Sequence, residues 1–211
     1  MEPVVVIDFE TTGLSPDHGA RATEIAAVLV RDGCIVDRYQ SLMNAGEPIP
    51  AFIQTLTGIT NNMIRMAPPA RRVMAEVAEF VGNHPMVAHN ASFDQKFWEA
   101  ELARIGHRTM QPFVCSMLVA RRVLPGSPNH KLGTLATYAG LPVTGRHHRA
   151  LADAEMAAHL TLFLGRTLVE QFQLGAVSYE LLQRIQRMSR SRLSECVHGY
   201  SRVPVSSGCS R

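Results

Sequence analysis

The chain has 211 residues, of which 46% are hydrophobic and 18% are charged. This length allows one substantial domain with a short appendage, and the composition excludes a chain that is disordered throughout. The formal net charge of +3 is too small to indicate a class of partner. The charge is uneven, because the residues from Arg184 onward carry six arginines and one glutamate, a net +5, which leaves −2 for the preceding part.

The cysteine pattern and the absence of long apolar runs bear on the compartment. The four cysteines are widely separated, and they form no Cys/His spacing typical of a zinc site. No apolar run is long enough to span a bilayer, and the first residues lack the basic start of a signal peptide. These features predict a cytoplasmic protein with reduced thiols and no membrane association.

The predicted elements begin with a continuous β-branched strand at Val4–Phe9. Two further strands, Ala22–Arg31 and Cys34–Leu42, are joined by an Asp-Gly turn that is typical of a hairpin. The chain therefore opens as a three-strand antiparallel meander. After a proline-rich break at 48–50, the segment LTGITNNMI is predicted as a loop with short helical character.

Helices and strands alternate in the next part of the chain. Apolar residues at helical spacing predict helices, and short apolar runs predict buried strands. The predicted order is a helix at Arg71–Val81, a strand at Met86–His89, a helix at Ala91–Ile105, a strand at Phe113–Met117, and helices at Leu118–Leu124, Leu132–Ala139, Arg149–Leu164 and Tyr179–Met188. This order predicts an α/β fold with a mixed five-stranded sheet, an antiparallel three-strand start, and helices on both faces.

The predicted domain organisation has three parts, a domain at 1–165, a helical extension at 166–188 and a Ser/Arg-rich tail at 189–211. The tail has little core-forming material, so we expect it to be loosely attached or disordered. A solvated tail is the plain interpretation. The alternatives are electrostatic attraction to nucleic acid and docking onto a partner protein.

Asp8 and Glu10 lie at the end of the first predicted strand. Residues two apart in a strand face the same side of the sheet, so these two carboxylates project together. Burying them is costly unless a positive charge lies nearby, and no Lys or Arg precedes Arg21. Carboxylate oxygens suit a hard divalent cation such as Mg²⁺ or Mn²⁺ better than zinc, so a metal site is the simplest explanation.

Asp94 and Asp153 are two further acids with an ordered context. Asp94 lies in the first turn of the helix that follows the short strand, and Asp153 lies on the long helix from Arg149. His148 precedes Asp153 by five residues, which permits a loop-borne imidazole to reach the same pocket. Each acid alone has a plain alternative, because strand-end acids are often solvated and an acid in a first helical turn favours the helix dipole. Together they predict one convergent site.

Five motifs occur in order between Val4 and Leu164, namely DFETTGL, TEIAAV, LTGIT, HNASFDQKF and HRALADA. They resemble the exonuclease motifs of the DEDD superfamily. The final His-x-x-x-x-Asp spacing resembles its histidine subgroup, DEDDh, which includes the proofreading epsilon subunit of bacterial DNA polymerase III. The resemblance implies a ribonuclease H-like fold and removal of nucleotides one at a time from 3′ ends, with two divalent cations, Mg²⁺ or Mn²⁺.

The resemblance also implies a role for each acid. Asp8 would bridge both cations. Glu10 and Asp153 would complete the site of the nucleophilic water, and Asp94 would support the second cation. Metal ligation is therefore expected from all four acids.

The histidines divide into one candidate base, one competitor and several structural residues. The resemblance implies that His148 takes a proton from the nucleophilic water near neutral pH. Its neighbour His147 is the competing candidate, and the spacing to Asp153 favours His148. A structural role is predicted for His89, His130 and His159.

Substrate contacts are also implied by the resemblance. Backbone amides around Thr11–Gly13 would approach the terminal nucleotide, and apolar side chains would pack against its base and sugar. The predicted substrate-binding residues are Thr11, Thr12, Gly13, Leu14, Leu56, Thr57 and Phe93. Core packing is the alternative for Leu14 and Phe93. Lys131 and Arg149 are candidates for phosphate contacts or for solvated surface charges.

Three functions fit these motifs. The leading prediction is a metal-dependent 3′-to-5′ exonuclease that releases nucleoside monophosphates from single-stranded DNA 3′ ends, in proofreading or repair. An exoribonuclease that trims RNA 3′ ends is the alternative, and FETTGL, unlike the Glu-Met-Thr version in oligoribonucleases, favours DNA. A noncatalytic polymerase-associated subunit that binds nucleic acid is disfavoured by the complete motif set. A polymerase or repair protein is the predicted partner, through the C-terminal extension.

Overall fold

The computed structural model describes residues 1–109, 111–142, 145 and 148–201. Its centre is a five-stranded sheet in the order β3-β2-β1-β4-β5. The strands are β1 (Val4–Thr11), β2 (Ala22–Arg31), β3 (Cys34–Leu42), β4 (Met86–Ala88) and β5 (Phe113–Cys115). Neighbours among β1 to β3 pair antiparallel, whereas β4 is parallel to both β1 and β5. The predicted mixed sheet with an antiparallel start is confirmed.

Helices follow the meander in the described ranges. They are α1 (Ala51–Thr57), α2 (Asn61–Met66), α3 (Ala70–Val81), α4 (Ser92–Ala103), α5 (Ser116–Val123), α6 (Leu132–Tyr138), α7 (Ala150–Phe172), α8 (Tyr179–Arg187) and α9 (Leu193–Ser201). The segment predicted as a loop with helical character, residues 56–64, contains the end of α1 and the start of α2. Of the helices in the described ranges, none is long and apolar enough to cross a membrane.

The alternation of β1 side chains separates two hydrophobic layers. Val4 and Val6 pack in the layer that contains the buried faces of α7 and α8. Val5, Ile7 and Phe9 pack in the opposite layer, which contains the buried faces of α3 and α4. Helices therefore cover both faces of the sheet, as predicted. Because side chains alternate, the residues at positions 8 and 10 continue the Val4–Val6 series and face α7.

The long helix α7 continues past the predicted end at Leu164 and reaches Phe172. A glycine inside a helix costs about 1 kcal/mol relative to alanine, which made Gly165 a plausible terminus. Leu168 is fully buried and continues the apolar face beyond that glycine, so burial outweighs the local cost. The predicted end of this helix is therefore wrong. The predicted domain boundary at residue 165 falls inside α7, and the three-part division stays a prediction.

The helix α9 packs against the body of the protein. Leu193, Cys196 and Val197 are buried in the same layer as α7. The Tyr200 hydroxyl lies 2.6 Å from Ser178 Oγ, and the Arg184 guanidinium lies over the Tyr200 ring. The prediction of a loosely attached segment from Ser189 is thus wrong for α9, since its few apolar residues share one face. Residues 202–211 of the predicted tail lie outside the described residues.

Candidate active site

The end of β1 brings two acids to the α7 face of the sheet. In the pairing of β1 with β2, Asp8 lies opposite Ala26 and Glu10 lies opposite Glu24. The small Ala26 side chain leaves space beside Asp8. A carboxylate from the neighbouring strand, Glu24, thus shares the face with Glu10.

Asp94 reaches the same place from the first turn of α4. Its side chain is buried, and Oδ1 accepts a hydrogen bond of 3.1 Å from the Phe9 N–H. β4 pairs with β1 only at Val5 and Val6, so it does not supply a partner for Phe9. The Asp94 carboxylate takes that place. This bond fixes Asp94 at the backbone between Asp8 and Glu10.

The start of α7 supplies His148 and Asp153. His148 has a φ of 62°, in the left-handed region that non-glycine residues seldom adopt. In this conformation its N–H donates a 3.0 Å hydrogen bond to Asp153 Oδ2. One ligand atom from each of Glu10, His148 and Asp153 lies within 4.8 Å of the other two. The competing His147 lies outside the described residues.

These residues line one cavity of about 430 Å³. Eleven of the twelve predicted site residues line it, namely Asp8, Glu10, Thr11, Gly13, Leu14, Leu56, Thr57, Phe93, Asp94, His148 and Asp153. The structure thus brings together segments from β1, α1, α4 and α7. The predicted convergence of the four acids and His148 agrees with this geometry.

Thr12 is the predicted site residue that does not line this cavity. Its N–H donates to the Arg21 carbonyl at 2.8 Å, and its hydroxyl accepts from the Arg21 N–H at 2.9 Å. Thr12 lines a neighbouring depression together with Gly13 and Leu14. The Thr12 amide is therefore engaged within the protein, and a contact of Thr12 with the nucleotide stays a prediction.

Apolar side chains form the rim of the cavity. Leu14 is 87% exposed and Leu56 is 46% exposed, so core packing does not explain Leu14. Phe93 lines the cavity and also packs on Phe97, with ring centroids 5.0 Å apart, so core packing is observed and its contact with the substrate stays a prediction. Thr57 is buried, and its hydroxyl donates to the Ile53 carbonyl. Its hydrogen bonding is structural.

Burial and neighbouring charges raise the pKa of three acids of the cavity. Burial is the largest cause that raises the pKa of Asp8 well above its usual range, and the charges of Asp94, Asp153 and Glu10 raise it further. Burial and then the Asp153 charge raise the pKa of Glu10 to about 8. Burial raises the pKa of Asp94 to about 8, against the opposing hydrogen bond from the Phe9 N–H. Clustered carboxylates of this kind fit a hard divalent cation, which relieves their repulsion.

A pH dependence of stability follows for the metal-free protein. Asp8, Glu10 and Asp94 hold protons in the folded state at a pH where the unfolded acids are ionised. The folded state then binds more protons, so the free energy of unfolding falls as the pH rises from about 6.5 to about 8. We expect a lower melting temperature at the upper pH in excess chelator, and a weaker dependence in Glu10→Gln. Thermal unfolding at both pH values checks this, and a melting temperature that rises with pH would contradict it.

His89 also lines the cavity, but both of its ring nitrogens are engaged. Nδ1 lies 2.9 Å from Ser116 Oγ, and Nε2 lies 3.0 Å from the His130 carbonyl oxygen. Burial lowers the pKa of His89 to about 4, so the ring is neutral near pH 7. His89 thus joins the end of β4 to the start of α5, which agrees with its predicted structural role.

The sequence-based prediction missed the role of Glu24 on β2. Its side chain is fully buried and accepts hydrogen bonds from the Arg149 guanidinium, the Ala150 N–H and Gln40 Nε2. Arg149 is therefore held by an ion pair and is not a solvated surface charge. A glutamate inside the apolar strand ATEIAAVLV was the available signal, because a buried acid requires a partner.

Comparison with known proteins gives three kinds of similarity. A family model described as exonuclease (RNase T) matches residues 5–161. The chain is 37% identical over 171 residues to a DNA polymerase III PolC-type of Bacillus cereus, covering 81% of this chain and 12% of the relative. It is 35% identical over 198 residues to the 3′-5′ exonuclease DinG of Bacillus subtilis, covering 92% of this chain and 20% of the relative. The chain thus spans a small part of these relatives.

A solved structure extends the similarity over a whole chain. The structure of Exonuclease X in complex with 5′ overhanging duplex DNA superposes with a TM-score of 0.68 at 28% identity. The match covers 87% of this chain and 99% of that chain. The fold of this chain therefore has a counterpart of nearly the same extent.

Proposed function

The chain belongs to the exonuclease family, as its motifs predict, and from this premise we propose that it is a metal-dependent 3′-to-5′ exonuclease acting on DNA. It releases nucleoside monophosphates from single-stranded 3′ ends. The observation that carries the proposal is the convergence of four acids and His148 in one cavity. Exposed apolar side chains at the rim offer sequence-tolerant contacts to a terminal nucleotide.

Two divalent cations, Mg²⁺ or Mn²⁺, are the proposed cofactors, held by Asp8, Glu10, Asp94 and Asp153. The raised pKa values of three of these acids support the assignment. Among the described side chains, none places a positive charge beside Asp8 that would offset the carboxylates. When bound, the cations stabilise the attacking and leaving oxygens of a phosphodiester displacement. The protein contributes the fixed spacing of the carboxylates.

His148 is the proposed general base, which accepts the proton of the attacking water. It lies at the exposed mouth of the cavity, and its ligand atom is within 4.8 Å of those of Glu10 and Asp153. The hydrogen bond from its N–H to Asp153 fixes the backbone that carries the ring.

DNA is the proposed substrate, and the names of relatives support it. One relative is a DNA polymerase III PolC-type, and the matched Exonuclease X structure contains duplex DNA. A polymerase or repair partner through the C-terminal part and a cytoplasmic location complete the proposal.

The experiment compares matched DNA and RNA oligonucleotides, labelled at the 5′ end, with Mg²⁺, Mn²⁺, Ca²⁺ or excess chelator. We expect stepwise shortening from the 3′ end of DNA with Mg²⁺ or Mn²⁺, and none in chelator. Ca²⁺ should support binding with little cleavage, since its larger and looser coordination misplaces the reacting groups. Faster shortening of RNA than of DNA would show that the protein is an exoribonuclease. Undiminished activity in chelator would contradict the metal requirement.

A further inference from the structure

Two buried glutamates in this protein hold arginines in the same way. Glu24 accepts Arg149 Nε at 3.1 Å and Nη2 at 2.8 Å, and its Oε2 also accepts the N–H of Ala150 at 3.1 Å. Glu101 on α4 accepts Arg21 Nε at 2.8 Å and Nη2 at 2.9 Å. Its Oε1 also accepts the N–H of Ala22 at 3.2 Å. In each case one carboxylate holds an arginine and the amide of the next residue. We call these the Glu24 clamp and the Glu101 clamp.

Each clamp ends a segment that reaches the cavity. The Glu101 clamp holds Arg21, whose backbone is bonded to Thr12 in both directions, and so it closes the loop that carries Gly13 and Leu14. The Glu24 clamp holds the two residues that directly follow His148. The Glu101 clamp therefore supports the rim of the cavity, and the Glu24 clamp supports the segment that carries the proposed base.

The Glu24 clamp also supplies a missing cap to α7. The first four N–H groups of a helix have no partner within the helix. Arg149, at the N-cap position of α7, provides no side-chain cap, whereas the Glu24 carboxylate accepts the Ala150 N–H from a neighbouring strand. Because Glu24 also lies opposite Glu10 in the sheet, it fixes the start of α7 relative to the strand that carries Glu10.

We propose that Glu24 is a positioning residue for the reaction, which acts by holding His148 at the cavity. The inference rests on the proposed function, in which His148 is the base. His148 is bonded through its own N–H to Asp153, and the next two residues are bonded to Glu24. The backbone of His148 is thus held on both sides. The Glu24 side chain is fully buried, so it touches no substrate itself.

The test uses Glu24→Gln, with turnover, KM and melting temperature measured on a single-stranded DNA oligonucleotide with Mg²⁺. Glutamine keeps the shape but presents an amide to a site where every partner donates. We expect kcat to fall about 10- to 100-fold with KM changed less than about threefold, because a small displacement of a reacting group is costly. In a His148→Ala background the same change should cost less than about threefold, since the residue it positions is gone.

Two matched variants separate positioning from folding. Glu101→Gln breaks a clamp of the same construction behind the rim, and we expect it to raise KM with kcat changed less than about threefold. Glu180→Gln removes one charge of an exposed pair with Arg184, and kcat and melting temperature should stay unchanged. If Glu24→Gln does not fold, Arg149→Lys keeps the charge and loses the two-pronged contact, and the same kcat loss is expected.

The possible outcomes are distinct. A defective His148→Ala with a normal Glu24→Gln would overturn the positioning role and leave the proposed function intact. Equal losses from Glu24→Gln in the presence and absence of His148 would also overturn it, because Glu24 would then act elsewhere. A fully active His148→Ala would overturn the proposed base, and the positioning role with it.

Discussion

Asp8→Ala is expected to abolish cleavage, with a loss of turnover of about 10⁴-fold or more. Asp8 lies at the meeting point of the cavity, where the charges of Asp94, Asp153 and Glu10 all act on it. Removing Asp8 takes away the proposed metal ligand that lies closest to the other three acids in its electrostatic effect. The measurement is the rate of 3′-end shortening of a labelled DNA oligonucleotide with Mg²⁺.

The same variant should keep its fold. Burial and like charges disfavour the ionised Asp8 in the metal-free protein, so its removal relieves repulsion. We therefore expect a melting temperature in chelator that is unchanged or higher than that of the parent chain. In Mg²⁺ the parent should gain more from the cation than the variant, because a ligand stabilises only the state that binds it.

Asp37→Ala is a suitable control for this experiment, since Asp37 is exposed on the edge strand β3 and outside the cavity. Its turnover should equal that of the parent chain. Near-normal turnover of Asp8→Ala, by contrast, would show that the acids of β1 do not carry the reaction. The metal assignment would then be wrong at its central residue.

Local rules were sufficient to predict the acids of the site. The period of two in β1 places Asp8 and Glu10 on one face, and the structure agrees because the register with β2 preserves that face. The convergence of Asp94, His148 and Asp153 was predicted from the ordered set of motifs and the family that it resembles, and the three residues line the same cavity. Each motif consists of a few consecutive residues, which the sequence displays directly.

Long-range partners were not available from local rules. Glu24 and Arg149 are 125 positions apart, and their pairing requires both the β1–β2 register and the position of α7. The packing of α9 was equally difficult to predict, because its apolar residues are sparse in sequence. They are Leu193, Cys196 and Val197, and they are buried only because one face of α9 packs against the core. The hydrogen bond of the Thr12 amide was not visible either, because its partner, Arg21, lies across a loop.

His148→Ala is expected to lower turnover about 10²- to 10⁴-fold, the usual loss when a general base is removed. DNA binding and metal binding should be largely retained, because the four acids and the apolar rim stay in place. Protonation of the imidazole switches the base off at low pH. The fall in turnover below neutral pH should therefore become shallower in this variant. Steady-state turnover measured across a pH series checks both expectations.

His147→Ala is the matched control, since it removes the adjacent imidazole and leaves His148 in place. Its turnover and pH profile should resemble those of the parent chain, because the bond from the His148 N–H to Asp153 fixes residue 148 beside the acids. A severe defect in His147→Ala beside a healthy His148→Ala would show that the base is the preceding residue.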